Sequence, residues 1–367
     1  MTRPACVLIE PEYTGHHFQA VANVADVARR TSDVVLLTSK GAPETADFRD
    51  YLGGADLEVR EVFTERFPPT DEVVRQLVAI CREREVATAV VMDGDQALKR
   101  WWYVAPRAFG LRRRPRVIFF LTRYPARLSL TDWVGWRLRI PKGLLALVAM
   151  ATRTLHRVAG FAGRDDMSPG WVVKRVRDPD ICQAHARDRK AIRAELGLDP
   201  DRTIVGVFGV MERRRNAPLI RDAMHAAGIE GDLLLAGKQD DEVRAWVAGL
   251  PESPLVRVVC YDQYLPTELM DKLVAASDVA PIALTNNGPS GVMGKAIAAG
   301  VPVVTAGSKV RAAELRAAGA GEVAELTPES LGAAMRKVLE RDAGQPWESR
   351  IPPATAEEFG EKVLGVR

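Results

Sequence analysis

The sequence predicts an α/β protein built from two doubly wound parallel-sheet domains. Three observations carry this reading. Short runs rich in Val, Ile, Leu and Phe alternate with amphipathic helical stretches along nearly the whole chain. Most of these runs are continuous rather than alternating in polarity, as strands buried on both faces require. Near residue 180 the series halts at a polar turn and then starts again.

In the first series, strands are predicted at 5–11, 33–39, 57–63, 88–94, 116–122 and 158–163. Residues 18–30 form one helix, with Ala20, Val21, Val24, Ala25 and Ala28 along a stripe. Residues 71–85 form another, with Val74, Leu77, Val78 and Cys81. Residues 133–155 read as an amphipathic helix broken at Pro141. Residues 172–179 are a connecting strand and linker, and Asp178-Pro179-Asp180 marks a turn. A polar helix over 188–198 opens the second series. Its strands are predicted at 203–210, 232–237, 256–261, 279–284, 301–306 and 322–326. Its helices are predicted at 217–227, 240–248, 267–277, 292–299, 310–318 and 329–341. The expected organisation is an N-terminal domain over 1–180, a C-terminal domain over 181–345, and a tail over 346–367 that returns to the N-terminal domain as a helix. Two such domains are expected to leave a cleft at the carboxyl ends of their sheets. Helix N-termini and unpaired amides converge on that edge, and ligands bind there.

Composition agrees with a globular protein: 47% of the 367 residues are apolar and 27% charged. The longest apolar stretch, 144–151, is too short to cross a bilayer, and no signal peptide is read at the start. The four cysteines, Cys6, Cys81, Cys182 and Cys260, are too far apart in sequence for a CxxC motif and are read as thiols. A cytoplasmic protein is expected, with peripheral attachment to the inner face of a membrane as an option. That option comes from charge. Residues 96–164 hold fifteen Lys and Arg against Asp132 alone, a local +14 in a chain of formal charge +3. Four of the seven tryptophans, Trp101, Trp102, Trp133 and Trp136, lie in the same stretch. Within 133–155 the apolar members are Trp136, Ile140, Leu144, Leu145, Leu147, Val148 and Leu155. A basic surface with aromatic rings suits an anionic membrane or a charged acceptor. The alternative is a core helix whose arginines reach out to solvent. No nucleic-acid motif accompanies the charge.

The most informative segment is 286–304: strand end, glycine-rich loop, helix, glycine stop, strand. Pro289-Ser290-Gly291 precedes a helix starting near Val292. Exposed amides and the helix dipole there form an anion site, or else the loop is an ordinary turn with a serine cap. In the loop over 209–216, Arg215 and Arg213 offer guanidiniums that hold phosphate through paired bonds; the alternative is a solvated basic turn. In the N-terminal half, Tyr13-Thr14-Gly15-His16-His17-Phe18 joins the first strand to the first helix. Gly15 permits close backbone approach, and His16 or His17 is placed to bond an acceptor or a sugar. Asp93 and Asp95 end the fourth predicted strand, and Arg123 follows the fifth. Asp93 or Asp95 would orient an acceptor hydroxyl, and Arg123 would meet a phosphate or an anionic acceptor. Asp93-Gly94-Asp95 has the spacing of a metal pair, but it falls in the acceptor half, and no metal site is assigned.

The run Ala296-Ile297-Ala298-Ala299-Gly300-Val301-Pro302-Val303-Val304 resembles the end of the nucleotide-binding signature of family 4 GT-B glycosyltransferases. So do Leu233-Leu234-Leu235-Ala236-Gly237, Ala275-Ala276-Ser277-Asp278-Val279 followed by Pro281, and Glu314 with Gly319 and Gly321. The resemblance covers roughly 200–340. It implies the GT-B fold, two Rossmann-like domains facing across a cleft. It also implies sugar transfer from a nucleotide-diphosphate donor, with retention at the anomeric carbon, no metal and no cofactor besides the donor. The departing diphosphate would lie against Arg215, Arg213 and the Pro289–Val292 turn, through the amides of Ser290, Gly291 and Val292. The signature's two glutamates are replaced by Asn287 and Lys295. Lys295 then meets phosphate or lies on the helix surface, and Glu314 is the candidate substitute on the ribose. The acceptor would be a small molecule, a lipid-linked sugar or a natural-product aglycone. The alternatives are a nucleotide-sugar 2-epimerase of the same fold and a non-catalytic nucleotide-sugar-binding protein.

Overall fold

The apolar runs become parallel strands and the amphipathic runs become the helices between them. The computed structural model describes residues 3–13, 17–110, 114–124, 133–286, 290–341 and 346–366. The chain divides into two units: Met1–Asp178 with Ala354–Arg367, and Pro179–Pro353.

The first unit runs β1 (Ala5–Ile9), α1 (His17–Ala28), β2 (Asp33–Ser39), α2 (Ala46–Leu52), β3 (Glu58–Phe63), α3 (Thr70–Glu83), β4 (Val86–Val91), α4 (Leu98–Phe109), β5 (Arg116–Leu121), α5 (Trp133–Ala151), β6 (Arg157–Ala162) and β7 (Val173–Arg177). Among the described residues its sheet has seven strands in the order β3-β2-β1-β4-β5-β6-β7, and every pairing is parallel. Side chains alternate across it. Val7 and Ile9 enter one core with Trp101 and Phe119, while Cys6 and Leu8 enter the other with Phe18 and Phe120. Trp101 is fully buried, meets Phe119 edge-on at 4.7 Å, and donates its indole N–H to the Thr154 carbonyl at 3.2 Å.

The last helix of the chain, here α13 (Ala356–Leu364), belongs to this unit. Phe359, Val363 and Leu364 complete the second core, and the Phe359 ring stands edge-on to Phe120 at 5.2 Å. Gly360 lets α13 lie directly on α1: a Cβ there would be 2.5 Å from the Asn23 carbonyl. Glu358 holds Arg177 of β7 at 3.1 Å.

α5 departs from expectation in two ways. It continues through Pro141. That residue faces solvent, where water can take the carbonyl that a proline leaves without its partner. The helix also buries Gly135, Ala146 and Ala149 while Trp133, Ile140, Leu144, Leu147 and Val148 stay exposed.

The second unit runs α6 (Arg189–Glu195), β8 (Thr203–Phe208), α7 (Ala217–Ala226), β9 (Gly231–Ala236), α8 (Asp241–Ala248), β10 (Val256–Tyr261), α9 (Thr267–Ala276), β11 (Ala280–Ala283), α10 (Gly291–Ala298), β12 (Val303–Ala306), α11 (Lys309–Ala318), β13 (Gly321–Ala324) and α12 (Pro328–Arg341). Two three-stranded parallel ladders, β10-β9-β8 and β11-β12-β13, meet at a bridge between Val205 and Val279. There the Gly206 N–H donates to the Val279 carbonyl at 2.9 Å. The combined order is β10-β9-β8-β11-β12-β13, the doubly wound arrangement of a Rossmann-like domain. No helix among the described residues is long and apolar enough to cross a membrane. All four cysteines are free thiols.

Candidate functional site

In a doubly wound sheet the strand order reverses at one point, and the loops there splay apart at the carboxyl edge. Each unit has such a point: between β1 and β4 in the first, between β8 and β11 in the second.

In the second unit, β8 is followed by Gly209, whose φ of +93° suits glycine. Its bare Cα accommodates Arg215: a Cβ on Gly209 would lie 2.5 Å from that guanidinium. Arg213–Arg215 form one short helical turn, closed by Asn216 in the left-handed region at φ 53°. The Asn216 side-chain amide donates to the Ala283 carbonyl at the end of β11, at 2.6 Å. That bond brings the loop after β8 to the edge of β11. Arg215 folds back and donates from Nε to the Val210 carbonyl at 3.2 Å. Burial pushes its pKa down and the Arg214 charge pushes it further, with Glu212 opposing. No carboxylate hydrogen-bonds to it among the described residues.

A second guanidinium lies near it. Arg311, on α11, is fully buried and donates to Asn286 Oδ1 at 3.2 Å and to the Leu284 carbonyl. Burial lowers its pKa to about 10; Glu314, one turn along, opposes that shift, and the Arg215 charge adds to it. Glu314 is itself buried and serves as Arg311's countercharge. Ser290 caps α10, its Oγ accepting from the Met293 N–H at 3.3 Å, with Gly291 and Val292 forming the first turn behind it. Two guanidiniums withdrawn from water thus lie near one another at the carboxyl edge of this sheet, and α10, which starts after β11 at the same edge, presents its first amides there.

The other candidates fall elsewhere. Arg213 is exposed, 3.7 Å from Glu242, in a solvated pair. Lys295 turns its ammonium to the buried carboxylate of Asp271 and to the Ile181 carbonyl at 3.4 Å. Asp271 also accepts from the Gln183 N–H at 2.8 Å, so the pair ties α10, α9 and the entering chain together. A hollow of about 820 Å³ beside that entering chain, bounded by Cys182, His185, Ile297 and Trp347, contains neither of the two buried guanidiniums. Gly15, His16, Asn287 and Pro289 lie outside the described residues.

In the first unit the switch point collects acids around a histidine. Glu10 follows β1, is buried, and accepts from the Glu12 N–H at 3.0 Å. Its other oxygen is 3.0 Å from His17 Nδ1 at the start of α1. Burial raises the pKa of Glu10, while the bond to His17 pulls it back. For His17, burial disfavours the imidazolium, but the bond to Glu10 and the charges of Glu10, Asp93 and Glu12 outweigh it, and its pKa is raised. Burial and the neighbouring Asp95 likewise push Asp93 up. Thr122 donates to Asp93 at 3.0 Å. Asp95 accepts from the Arg123 N–H at 3.0 Å and from the Lys142 ammonium on α5, so it fastens the loop after β5 to that helix. The Arg123 side chain itself is exposed. His17 and Asp93 are therefore brought together, and Arg123 contributes backbone to the same edge. Sequence reasoning passed over Glu10, Lys142 and Arg311. Glu10 had one usable signal, an acid placed directly after a fully apolar strand. Among the described residues no three His, Cys, Asp or Glu side chains are grouped to hold a metal ion.

No protein-family model matches the sequence, and no curated protein matches it significantly. Solved structures do match. HepE of Anabaena in complex with UDP superposes with a TM-score of 0.61 at 14% identity, covering 99% of this chain and 95% of its own. Sucrose-phosphate synthase of Thermosynechococcus elongatus gives 0.61 at 14% identity over 99% and 95%. A putative UDP-N-acetylglucosamine 2-epimerase of Listeria monocytogenes gives 0.60 at 10% identity over 99% and 94%. At these identities the likeness is one of fold, and with the two doubly wound units it shows that the chain has the GT-B fold of the nucleotide-sugar glycosyltransferases.

Proposed function

We propose that the protein is a glycosyltransferase that moves a sugar from a nucleotide-diphosphate donor to an acceptor hydroxyl. The observation that carries this is Arg215, a guanidinium held partly out of water at the second unit's switch point and close enough to Arg311 to feel its charge. Structures of similar fold were solved with UDP and UDP-glucose. The donor's diphosphate lies against Arg215 and the first amides of α10, with the charge of buried Arg311 behind them. When the bond from the anomeric carbon to phosphate breaks, its electron pair stays on the diphosphate. The guanidiniums stabilise that charge without a cation being required. The acceptor oxygen bonds to the anomeric carbon on the face the phosphate leaves, and the acceptor proton passes to the departing phosphate, so configuration is retained. In the first unit, Glu10 engages His17 Nδ1 and leaves Nε2 to orient the acceptor hydroxyl.

The test is a thermal-shift panel of nucleoside diphosphates and their sugars. A ligand at a hundred times its Kd adds about 2.7 kcal/mol to stability. Stabilisation by at least one diphosphate, in EDTA and cut to about half or less by Arg215→Ala, is the expected result. A flat panel, or a shift that appears only with Mg²⁺ or Mn²⁺, counts against the reading. The 2-epimerase neighbour supports a second reading on the same donor site. It predicts a change at sugar C2 with no acceptor present, which NMR of the incubated donor would reveal.

A further inference from the structure

α5 leaves much of its apolar bulk outside. A soluble helix normally turns its large apolar side chains to the core. Here the fully buried positions are Gly135, Ala146 and Ala149, with Leu145 and Met150 packed partly against the core, and the outward line is Trp133, Arg137, Ile140, Leu144, Leu147 and Val148, spaced mostly by three and four residues. Trp133 is 73% exposed, Ile140 61% and Leu144 60%. The patch extends beyond the helix. In the connection from β6 to β7, Trp171 is 86% exposed and Met167 is exposed too. Trp171 and Leu147 border one hollow of about 300 Å³, shared with Arg157 and Lys174. Arg137 lies within the stripe, and Arg153 stands exposed just past the helix end. In the same connection Asp166 is taken up by Arg175.

We propose that this face of the first unit docks on an anionic lipid bilayer. The helix has 19 residues, about 28 Å at 1.5 Å per residue, and lies along the surface rather than across it. Leu144, Ile140 and Leu147 enter the boundary between headgroups and acyl chains. Trp133 and Trp171 sit at headgroup level, where indole rings are enriched. Arg137, Arg153 and Lys174 meet lipid phosphates. The charges choose between occupants. In a two-fold contact with a second copy, the same basic face would meet itself, and like charges would be forced together. Against nucleic acid the charges would suit, but a line of exposed Ile and Leu would find no apolar partner on a phosphate backbone. Only an anionic membrane satisfies the aliphatic line, the two indoles and the cations together.

The test uses the full chain and vesicles of phosphatidylcholine alone or mixed equally with phosphatidylglycerol. Sedimentation at low salt should show binding to the mixed vesicles that weakens as salt rises, and little binding to the neutral ones. Leu144→Ser with Trp171→Ser should weaken it at least about tenfold. Arg137→Gln with Lys174→Gln should weaken it about fivefold for each charge removed. None of these four residues lies at the proposed donor site, so the diphosphate thermal shift read on the same variants reports folding and donor binding separately. Three results overturn the proposal: no binding to mixed vesicles at low salt, equal binding by the Leu144 and Trp171 variant, or a dimer in light scattering that this variant dissociates.

Discussion

A guanidinium that is half withdrawn from water beside another cation destabilises its surroundings until an anion arrives. This gives Arg215 a recognisable signature. Arg215→Ala should leave the ligand-free protein at least as stable as wild type, while nucleoside diphosphate affinity falls about 10- to 100-fold, as expected for a lost charge-assisted bond of about 1.5–3 kcal/mol. Arg213→Ala, on an exposed side chain, should change affinity by less than about twofold. Titration calorimetry on both variants decides this, and equal losses would remove Arg215 from its proposed role. His17 permits a second test. Its pKa is raised above 6.5 through Glu10 and its neighbours despite burial. With Glu10→Gln, burial is left to dominate, and the NMR titration of His17 should move to lower pH. The linkage has a fixed sign: the stabilisation is fully present below pH 6.5 and is lost as pH rises through the raised folded value. A stability difference between wild type and Glu10→Gln that grows with pH would contradict it. Both sites show what a linear sequence conceals. Arg215 was legible because it follows a strand end in a glycine-led loop. Arg311 was not, because it sits between Lys309 and Arg316 on a helix that reads as solvent-facing. Its burial comes from the end of β11 closing over it through the Leu284 carbonyl and Asn286.

Elements were legible where period and burial agree. The strand at 33–39 falls where the sequence places it, because a continuous apolar run between polar turns has few other fates. α2 and α4 were not read. α4 carries Trp101, Trp102, Tyr103 and Pro106 in place of a clean stripe. α5 was read as amphipathic, but a stripe does not say which side faces in. Small residues won the inner side because α5 lies against α4, and Gly135, Ala146 and Ala149 permit a close approach that Leu144 or Ile140 would prevent. At α10, Lys295 takes a position where the resembled signature has a glutamate, and it bonds Asp271 of α9. Lys295→Met strands a buried carboxylate and should cost about 3–5 kcal/mol, with Lys295→Met plus Asp271→Leu recovering part of that. Urea melts of the single and double variants measure it. If Lys295→Met keeps full stability but loses diphosphate affinity, its ammonium serves the ligand instead.

At the scale of the whole molecule, the chain leaves the first unit at Asp178 and re-enters it at Ala354. The sequence marked the first crossing with Asp178-Pro179-Asp180. The second has no comparable punctuation, since Pro352-Pro353 follows a stretch of mixed character. Ending the chain after Pro353 removes Phe359, Val363 and Leu364 from the core around Phe120, and removes Glu358 from Arg177. Losing three buried apolar side chains should cost the first unit several kcal/mol, at about 1.5–3 kcal/mol each. The second unit keeps all its elements. Calorimetry of the shortened chain should show the first unit's transition moved down or lost, with the second's in place; one transition lowered as a whole would mean the units do not melt separately. The same re-entry sets a schedule for biosynthesis. The seven-stranded sheet is fully translated by residue 177, yet the helix that covers Phe120 is made only after residues 179–353. At 5–20 residues per second that interval lasts roughly 10–35 s. Throughout it, the nascent first unit presents the apolar faces of Phe120 and Phe161 uncovered. A ribosome-bound chain of this protein should therefore engage holding chaperones until α13 is available to cover Phe120, which ribosome profiling of chaperone-bound nascent chains would detect.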